Sequence, residues 1–518
     1  MKKAIIFVVF FILTFLLTSY SFFLPQHWDA FSNLVPAAIY SMENDFTPFT
    51  PYNQGHPPFA FISLAIIFGL FGYSLLASHL YVILLAFLSV FFTYLIAEHL
   101  SKSTYVGILA ASLFLFSPLF IGQAGVVNLA FPLTALSLMS IYFFLKNNKI
   151  SFLISSLLLA WTMENGVFLL AGLLFLPSVK SIRRHDFKKL LFYSIPFLFY
   201  LLWLLLHKLY YGSFFNLEHT NKLIEISVLS KLLQLFYALQ IIFLDQYKWV
   251  LLLLIFVSVI SFKKRTKLLI PLIISFLCFL LLFNAPFFTS FFSIRYMDSF
   301  LLELKNYSLI FSILLFLLLV YKERFYEMNI KSNINLIPVF LALFLLVSAT
   351  MVMPRYIFPL FPLFFIISAI SINNFFKRLS FIPVMFVIIL FFTLWSGQNN
   401  IDLGNDLEYN KEHADMVLSH QQATKFIEEN YPDSVILVSG FPQNKEIVYP
   451  YGGYVSNPLN MVFKEEDYTK EGFEKVDLFY YSPQSSNIKY PSYFEDNFNL
   501  TLIKKFEVNG KTAYVFKV

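Results

Sequence analysis

The run MKKAIIFVVFFILTFLLTSYSFF (Met1–Phe23) is followed almost at once by HWDAFSNLVPAAIY (His27–Tyr40) and GHPPF (Gly55–Phe59). The first run has a positive start and a long apolar stretch but no small-x-small cleavage site, so it reads as an uncleaved first membrane span. The next stretch is amphipathic and carries an acidic residue. In DAFSNLVPAAIYSMEN, Phe31, Leu34, Val35, Ala38, Ile39 and Met42 share one helical face, and Asp29, Asn33 and Tyr40 fall opposite. That pattern predicts an interfacial helix lying on the bilayer, with Pro36 kinking it or opening its second half.

The rest of the chain has the same greasy character. Of 518 residues, 58% are hydrophobic and 13% charged, with a mean hydropathy of +0.70. Apolar stretches of about 20 residues, the length that crosses a bilayer, recur from Ala4 to Ser396. The expected fold is a polytopic α-helical membrane protein (1–396) followed by a water-soluble α/β domain (397–518). Aromatics at 20% belong to lipid-facing and interhelical packing. The net charge of +6 comes from short connections and points to topology, with no nucleic acid as partner. The single cysteine, Cys278, sits in an apolar run, which excludes an intrachain disulfide and a Cys-based metal site.

Basic stretches at Lys180–Lys189, Lys263–Lys267, Lys322–Lys331 and Lys377–Arg378 belong in the cytoplasm with Lys2 and Lys3. Spans are expected at 190–211, up to Phe262, and at 268–284, 306–321, 334–353, 355–375 and 380–396. Lys102, Lys146 and Lys149 fall inside only if the short Pro57–Gly72 segment does not cross and Ser151–Pro177 crosses twice, turning at MEN (Met163–Asn165). About thirteen spans result, N-terminus in and C-terminus out, with residues 24–74 as one outer loop.

Asp29 then stands at the outer surface, where a carboxylate can take a proton from a hydroxyl or amine; it is equally a helix N-cap. The paired prolines of GHPPF open a helix. In order, an apolar span, Asp29, GHPPF, LFGYS (Leu70–Ser74), NLAFPLTALSLMSIYFFL (Asn128–Leu145), LAWTMENGVFLL (Leu159–Leu170), MPRYIFPLFPL (Met353–Leu363) and a soluble tail follow one another. This succession resembles the polyprenyl-phosphate-sugar-dependent glycosyltransferases of the GT-C fold, which include protein O-mannosyltransferases and aminoarabinose transferases of lipid A.

The resemblance implies a plasma (inner) membrane enzyme moving a sugar from a polyprenyl phosphate to a glycan, lipid or protein acceptor on the outer face, with Asp29 as base. The sequence departs from that pattern in places. Relatives often carry a second acid where Ala130 stands; the loop 122–131 has none, and Asn128 is its nearest polar substitute. His79 occupies the place of a frequent Arg, and Met163 with Glu164 that of a Lys. No cofactor is required, and a divalent metal is left open.

A departing lipid phosphate needs a cation. Arg355 in MPRY is the first candidate, with snorkelling to the interface as its other reading; Arg295, beside Asp298, is the second. His56, His79, Asn128, Glu164, Glu218, His219 and Tyr356 complete the expected substrate contacts. A non-catalytic binder or a transporter of lipid-linked glycans is the competing class. In the tail, 413–431 reads as a helix, 434–440 and 475–481 as strands, and 499–518 as a hairpin with an Asn509-Gly510 turn.

Overall fold

A computed structural model describes residues 2–27, 30–52, 55–214, 238–239, 241–243, 245–261, 354–395, 411–438, 440, 442–463, 470–483 and 491–518. Asp29, Glu218, His219 and Arg295 lie outside the described residues, as do the spans expected at 268–284, 306–321 and 334–353.

Helix α1 (Lys2–Thr18) leads through a short 3-10 turn to the segment expected to lie outside. There a π-helical turn (Ala30–Leu34) runs into α2 (Val35–Glu43) with Pro36 in its first turn, so the proline opens the second half. The apolar face of this segment is not laid on lipid. Phe31, Leu34, Val35, Ala37 and Ala38 are buried, and α2 packs on α3 (Phe59–Phe71). The periodicity was a protein core face, because a second apolar helix from the same loop covers it.

Helix α4 (Leu75–Ser101) is the central strut, started by the Ser74 side chain accepting from the Ala77 N–H. It packs on α1, on α5 (Thr104–Leu115) and on α7 (Ala130–Leu145). Ser117 and Pro118 break the chain between α5 and α6 (Pro118–Ala124), turning it by 63°. Next come α8 (Lys149–Ala160), α9 (Glu164–Arg183), α10 (Phe187–Tyr211) and α11 (Lys248–Ser261). The membrane part closes with α12 (Pro354–Ile357), α13 (Leu360–Phe376) and α14 (Phe381–Trp395).

Among the described residues, three helices are long and apolar enough to cross a membrane, Lys3–Ser21, Leu75–Ser101 and Phe187–Tyr211, and up to five if two bent pairs each count as one. The segment 151–177 divides into α8 and α9 around Trp161–Met163, just before and overlapping the expected turn at Met163–Asn165, with α8 shorter than the helices counted as long enough to cross.

The C-terminal part is a three-layer α/β unit. Helix α15 (Glu412–Asn430) covers one face of a five-stranded sheet of order β2-β1-β3-β5-β4. Strands β1 (Ile436–Val438), β2 (Met461–Phe463) and β3 (Leu478–Tyr481) are parallel, and β4 (Thr501–Val508) and β5 (Lys511–Lys517) add an antiparallel hairpin. Between β1 and β2 lies the single turn α16 (Gln443–Glu446). Alternation along β3 sends Leu478 and Tyr480 to the α15 side and Phe479 and Tyr481 to the other. There α17 (Lys470–Phe473) and α18 (Pro491–Phe498) cover them. Asn509 and Gly510 at positive φ form the expected hairpin turn. Strand β2, three residues long, carried no alternation to reveal it.

At the α4–α5 contact, a Cβ on Gly107 would lie 2.7 Å from a Tyr94 ring carbon and 2.9 Å from its carbonyl oxygen. Gly107→Ala is expected to cost about 1–3 kcal/mol through overpacking, seen as a lower thermal-aggregation temperature of the detergent-solubilised protein.

Candidate active site

Of the polar side chains singled out in the sequence, His56 and Glu164 meet directly, and Arg355 and Tyr356 lie beside the turn that follows Glu164. His56 Nδ1 and Glu164 Oε2 are 2.9 Å apart, both about a quarter exposed. Their loops are joined by the Phe59 N–H donating to the Trp161 carbonyl at 2.9 Å. Glu164 opens α9, where a carboxylate complements the helix N-terminus. The next residue, Asn165, donates to the Tyr356 carbonyl at 3.5 Å, a long bond that still puts this turn beside α12.

Arg355 is half-buried, its guanidinium 5.4 Å from the Tyr356 ring centre. It acts electrostatically on His27, 328 positions earlier and two residues before Asp29. His27 is buried with its ring 5.7 Å from that of His413 on α15. Burial first, then the charges of His413, Arg355 and His420, hold the His27 imidazole well below the ordinary 6.5.

Not every candidate faces a substrate. His79, buried on α4, bonds through Nε2 to the Leu24 carbonyl at 3.0 Å and thereby anchors the segment that follows α1. Asn128 accepts from the Ala130 N–H and donates to Gln123 Oε1, both at 2.9 Å. Its amide is occupied in closing the turn into α7.

Four residues went unnoticed in the sequence. Lys248 is fully buried at the start of α11, with Nζ 3.4 Å from Gln246 Oε1 and 4.7 Å from the ring centre of Phe361 near the start of α13. A lysine at the head of an apolar run reads as a snorkelling end; only packing against α13 shows it turned inward. Gln26 is fully buried, and neither polar atom of its amide has a hydrogen-bond partner among the described residues. His27 and His413 are single histidines without local pattern. Among the described residues, no three His, Cys, Asp or Glu side chains form a group able to hold a metal ion.

A separate buried network ties α15 to the sheet. His420 Nδ1 lies 2.8 Å from Glu446 Oε1 and its Nε2 2.8 Å from Ser482 Oγ, while the Tyr480 hydroxyl donates to Glu446 Oε2 at 2.9 Å. The order resembles a hydrolytic triad, but His420, Glu446 and Ser482 are each fully buried, which denies a substrate access. Its work is cohesion. Glu446→Ala strands two buried donors and is expected to cost about 3 kcal/mol, read as faster proteolysis of the C-terminal part with the membrane helices intact.

Linkage gives a second test. A histidine held below 6.5 in the fold takes up a proton on unfolding, so its contribution is complete above that pH and is lost as pH falls below it. Unfolding midpoints of the wild type are expected to drop below pH ~6.5, by at most about 1.4 kcal/mol per pH unit from this group, and His27→Phe to flatten the drop.

Neither a family model nor a curated protein sequence matches the chain. Solved structures do. ArnT from Cupriavidus metallidurans bound to undecaprenyl phosphate superposes with a TM-score of 0.57 at 11% identity, over 99% of this chain and 97% of that one. The apo state of the same protein gives 0.54 at 11% identity over the same shares. Over 99% of its length the chain therefore shares the fold of ArnT.

Proposed function

We propose that the protein is a multi-pass membrane glycosyltransferase of the inner membrane that uses a polyprenyl-phosphate sugar and works on the outer face. The N-terminus is cytoplasmic, the chain crosses about thirteen times, and the soluble unit is extracytoplasmic. The observation that carries this reading is the meeting of two turns: the first turn of α9, where Glu164 pairs with His56 at 2.9 Å, reaches the Arg355-Tyr356 turn through the bond from Asn165 to the Tyr356 carbonyl. The solved ArnT structure of this fold holds undecaprenyl phosphate, a lipid of the class proposed here.

In this reading Asp29 takes the proton of an acceptor hydroxyl or amine. The freed lone pair attacks the anomeric carbon, and the bond to the phosphate oxygen breaks. Polyprenyl phosphate leaves with the negative charge, which Arg355 and the buried Lys248 stabilise. Lys248 gains strength as an electrostatic partner because it is fully buried beside Phe361. Arg295, Glu218 and His219 keep their sequence-based roles as second phosphate cation and acceptor contacts. His56, Glu164 and Tyr356 line the acceptor side. Ala130 leaves the mechanism with one general base.

Reconstitution with labelled polyprenyl-phosphate sugars tests the assignment. Asp29→Asn is expected to lower turnover by at least about 100-fold, and full turnover in that variant would overturn the base. Arg355→Ala and Lys248→Ala are each expected to weaken undecaprenyl-phosphate binding by about tenfold; unchanged affinity in both would remove the phosphate site.

A further inference from the structure

Residues 24–27 of the outer segment have no regular structure of their own, and the backbone at Gln26 and at Phe31 is held from outside. One turn of the C-terminal unit, Tyr449-Pro450-Tyr451-Gly452-Gly453-Tyr454, supplies most of the partners. The Gln26 N–H donates to the Gly452 carbonyl at 2.8 Å, and the Tyr454 hydroxyl donates back to the Gln26 carbonyl at 3.1 Å. Beyond Trp28 and Asp29, the Tyr451 hydroxyl donates to the Phe31 carbonyl at 3.0 Å. The turn is held in its own right: Tyr73 donates to the Tyr451 carbonyl, Gln421 to Gly453 and Thr424 to Tyr454.

Shape reinforces these bonds. Gly453 has φ +83°, and a Cβ there would meet a Leu75 methyl at 2.7 Å, so a glycine lets the turn reach the start of α4. A Cβ on Gly125 would lie 2.7 Å from His413 Nε2 and 2.5 Å from the Tyr20 hydroxyl. That notch admits α15 to the membrane helices. Leu24, Phe31, Ala414, Met416, Val417 and Tyr454 form one apolar seam across the junction.

We infer that the 449–454 turn is a positioning element of the transferase: Tyr454 and Tyr451 hold the backbone of the outer segment at Gln26 and at Phe31, on either side of Asp29 in the sequence. The consequence for catalysis rests on the reading of Asp29 as base; the mechanical claim does not. The C-terminal unit is on this view part of the site's frame, so the membrane helices alone hold the outer segment incompletely.

Hydrogen–deuterium exchange on the full-length protein in lipid nanodiscs tests it end by end. Tyr454→Phe is expected to speed exchange at amides 24–27 by about tenfold and Tyr451→Phe to do so from Ala30 to Val35. Peptides from β3 and β5 should be unchanged in both. Loss of the same protection in both variants, or acceleration shared with the sheet, would mean that the hydroxyls stabilise the unit as a whole and would overturn the inference; so would no change at either end. With labelled donor, both variants are expected to lower kcat about tenfold while leaving donor KM and undecaprenyl-phosphate affinity as in wild type. End-specific release with an unchanged kcat would refute positioning. Full turnover by Asp29→Asn would instead retire the base assignment and leave the exchange result to decide the clamp.

Discussion

A buried chain segment outside a helix or sheet must still place each N–H and C=O on a partner. The described residues between α1 and α2 draw partners from across the sequence: His79 for Leu24, Gly452 and Tyr454 for Gln26, Tyr451 for Phe31. Four backbone bonds to α4 and the C-terminal unit thus fix the entry to the site. The rest of the architecture follows from keeping those partners in place. Helix α4 must begin where His79 reaches Leu24, and the soluble unit must sit on the helices closely enough for two tyrosines to bridge.

The same economy separates polar from apolar packing. Within the helices, serines and threonines bond the carbonyl one turn back, as Thr93 does to Ser89 and Ser368 to Phe364, so few polar groups need partners in lipid. Ionisable groups collect at the ends of the helices. Lys3 and Glu98 pair near the start of α1, while Arg355, His27, His413, His56 and Glu164 gather near its other end. Lys248 departs from the pattern by being buried, with the Gln246 amide and the Phe361 ring face close to its ammonium and the Asp245 carboxylate acting on it electrostatically. Such a cation is stabilised further by any anion that reaches it.

Much of the helical part was legible because its signals are local. Charges and apolar lengths placed the break between α8 and α9, and Asn509-Gly510 placed the final hairpin. The convergence of His56 with Glu164 was half legible: both residues were candidates, but nothing in the sequence says that loops 108 positions apart share a Phe59–Trp161 backbone bond. The lipid-facing reading of α2 failed for a related reason. Periodicity reveals that a face is apolar and is silent on whether lipid or α3 covers it. Lys248, Gln26 and the His420–Glu446–Ser482 network were illegible altogether, since their meaning lies in burial and in contacts between distant segments.

That division explains how the fold matches ArnT over nearly the whole chain at 11% identity. What must persist is the length and apolarity of the helices, their breaks, and backbone bonds to which many side chains are indifferent. Individual charges are freer. At position 79, an imidazole reaching one carbonyl fills a place where the resemblance led one to expect a guanidinium with five donors to satisfy. At position 130, an alanine packed at the head of α7 leaves a loop whose one amide side chain is already bonded to Gln123 and to the backbone. A change of chemistry at such places costs the fold little. In the proposed reading a single carboxylate, Asp29, then serves as base on a fold that tolerates such exchanges.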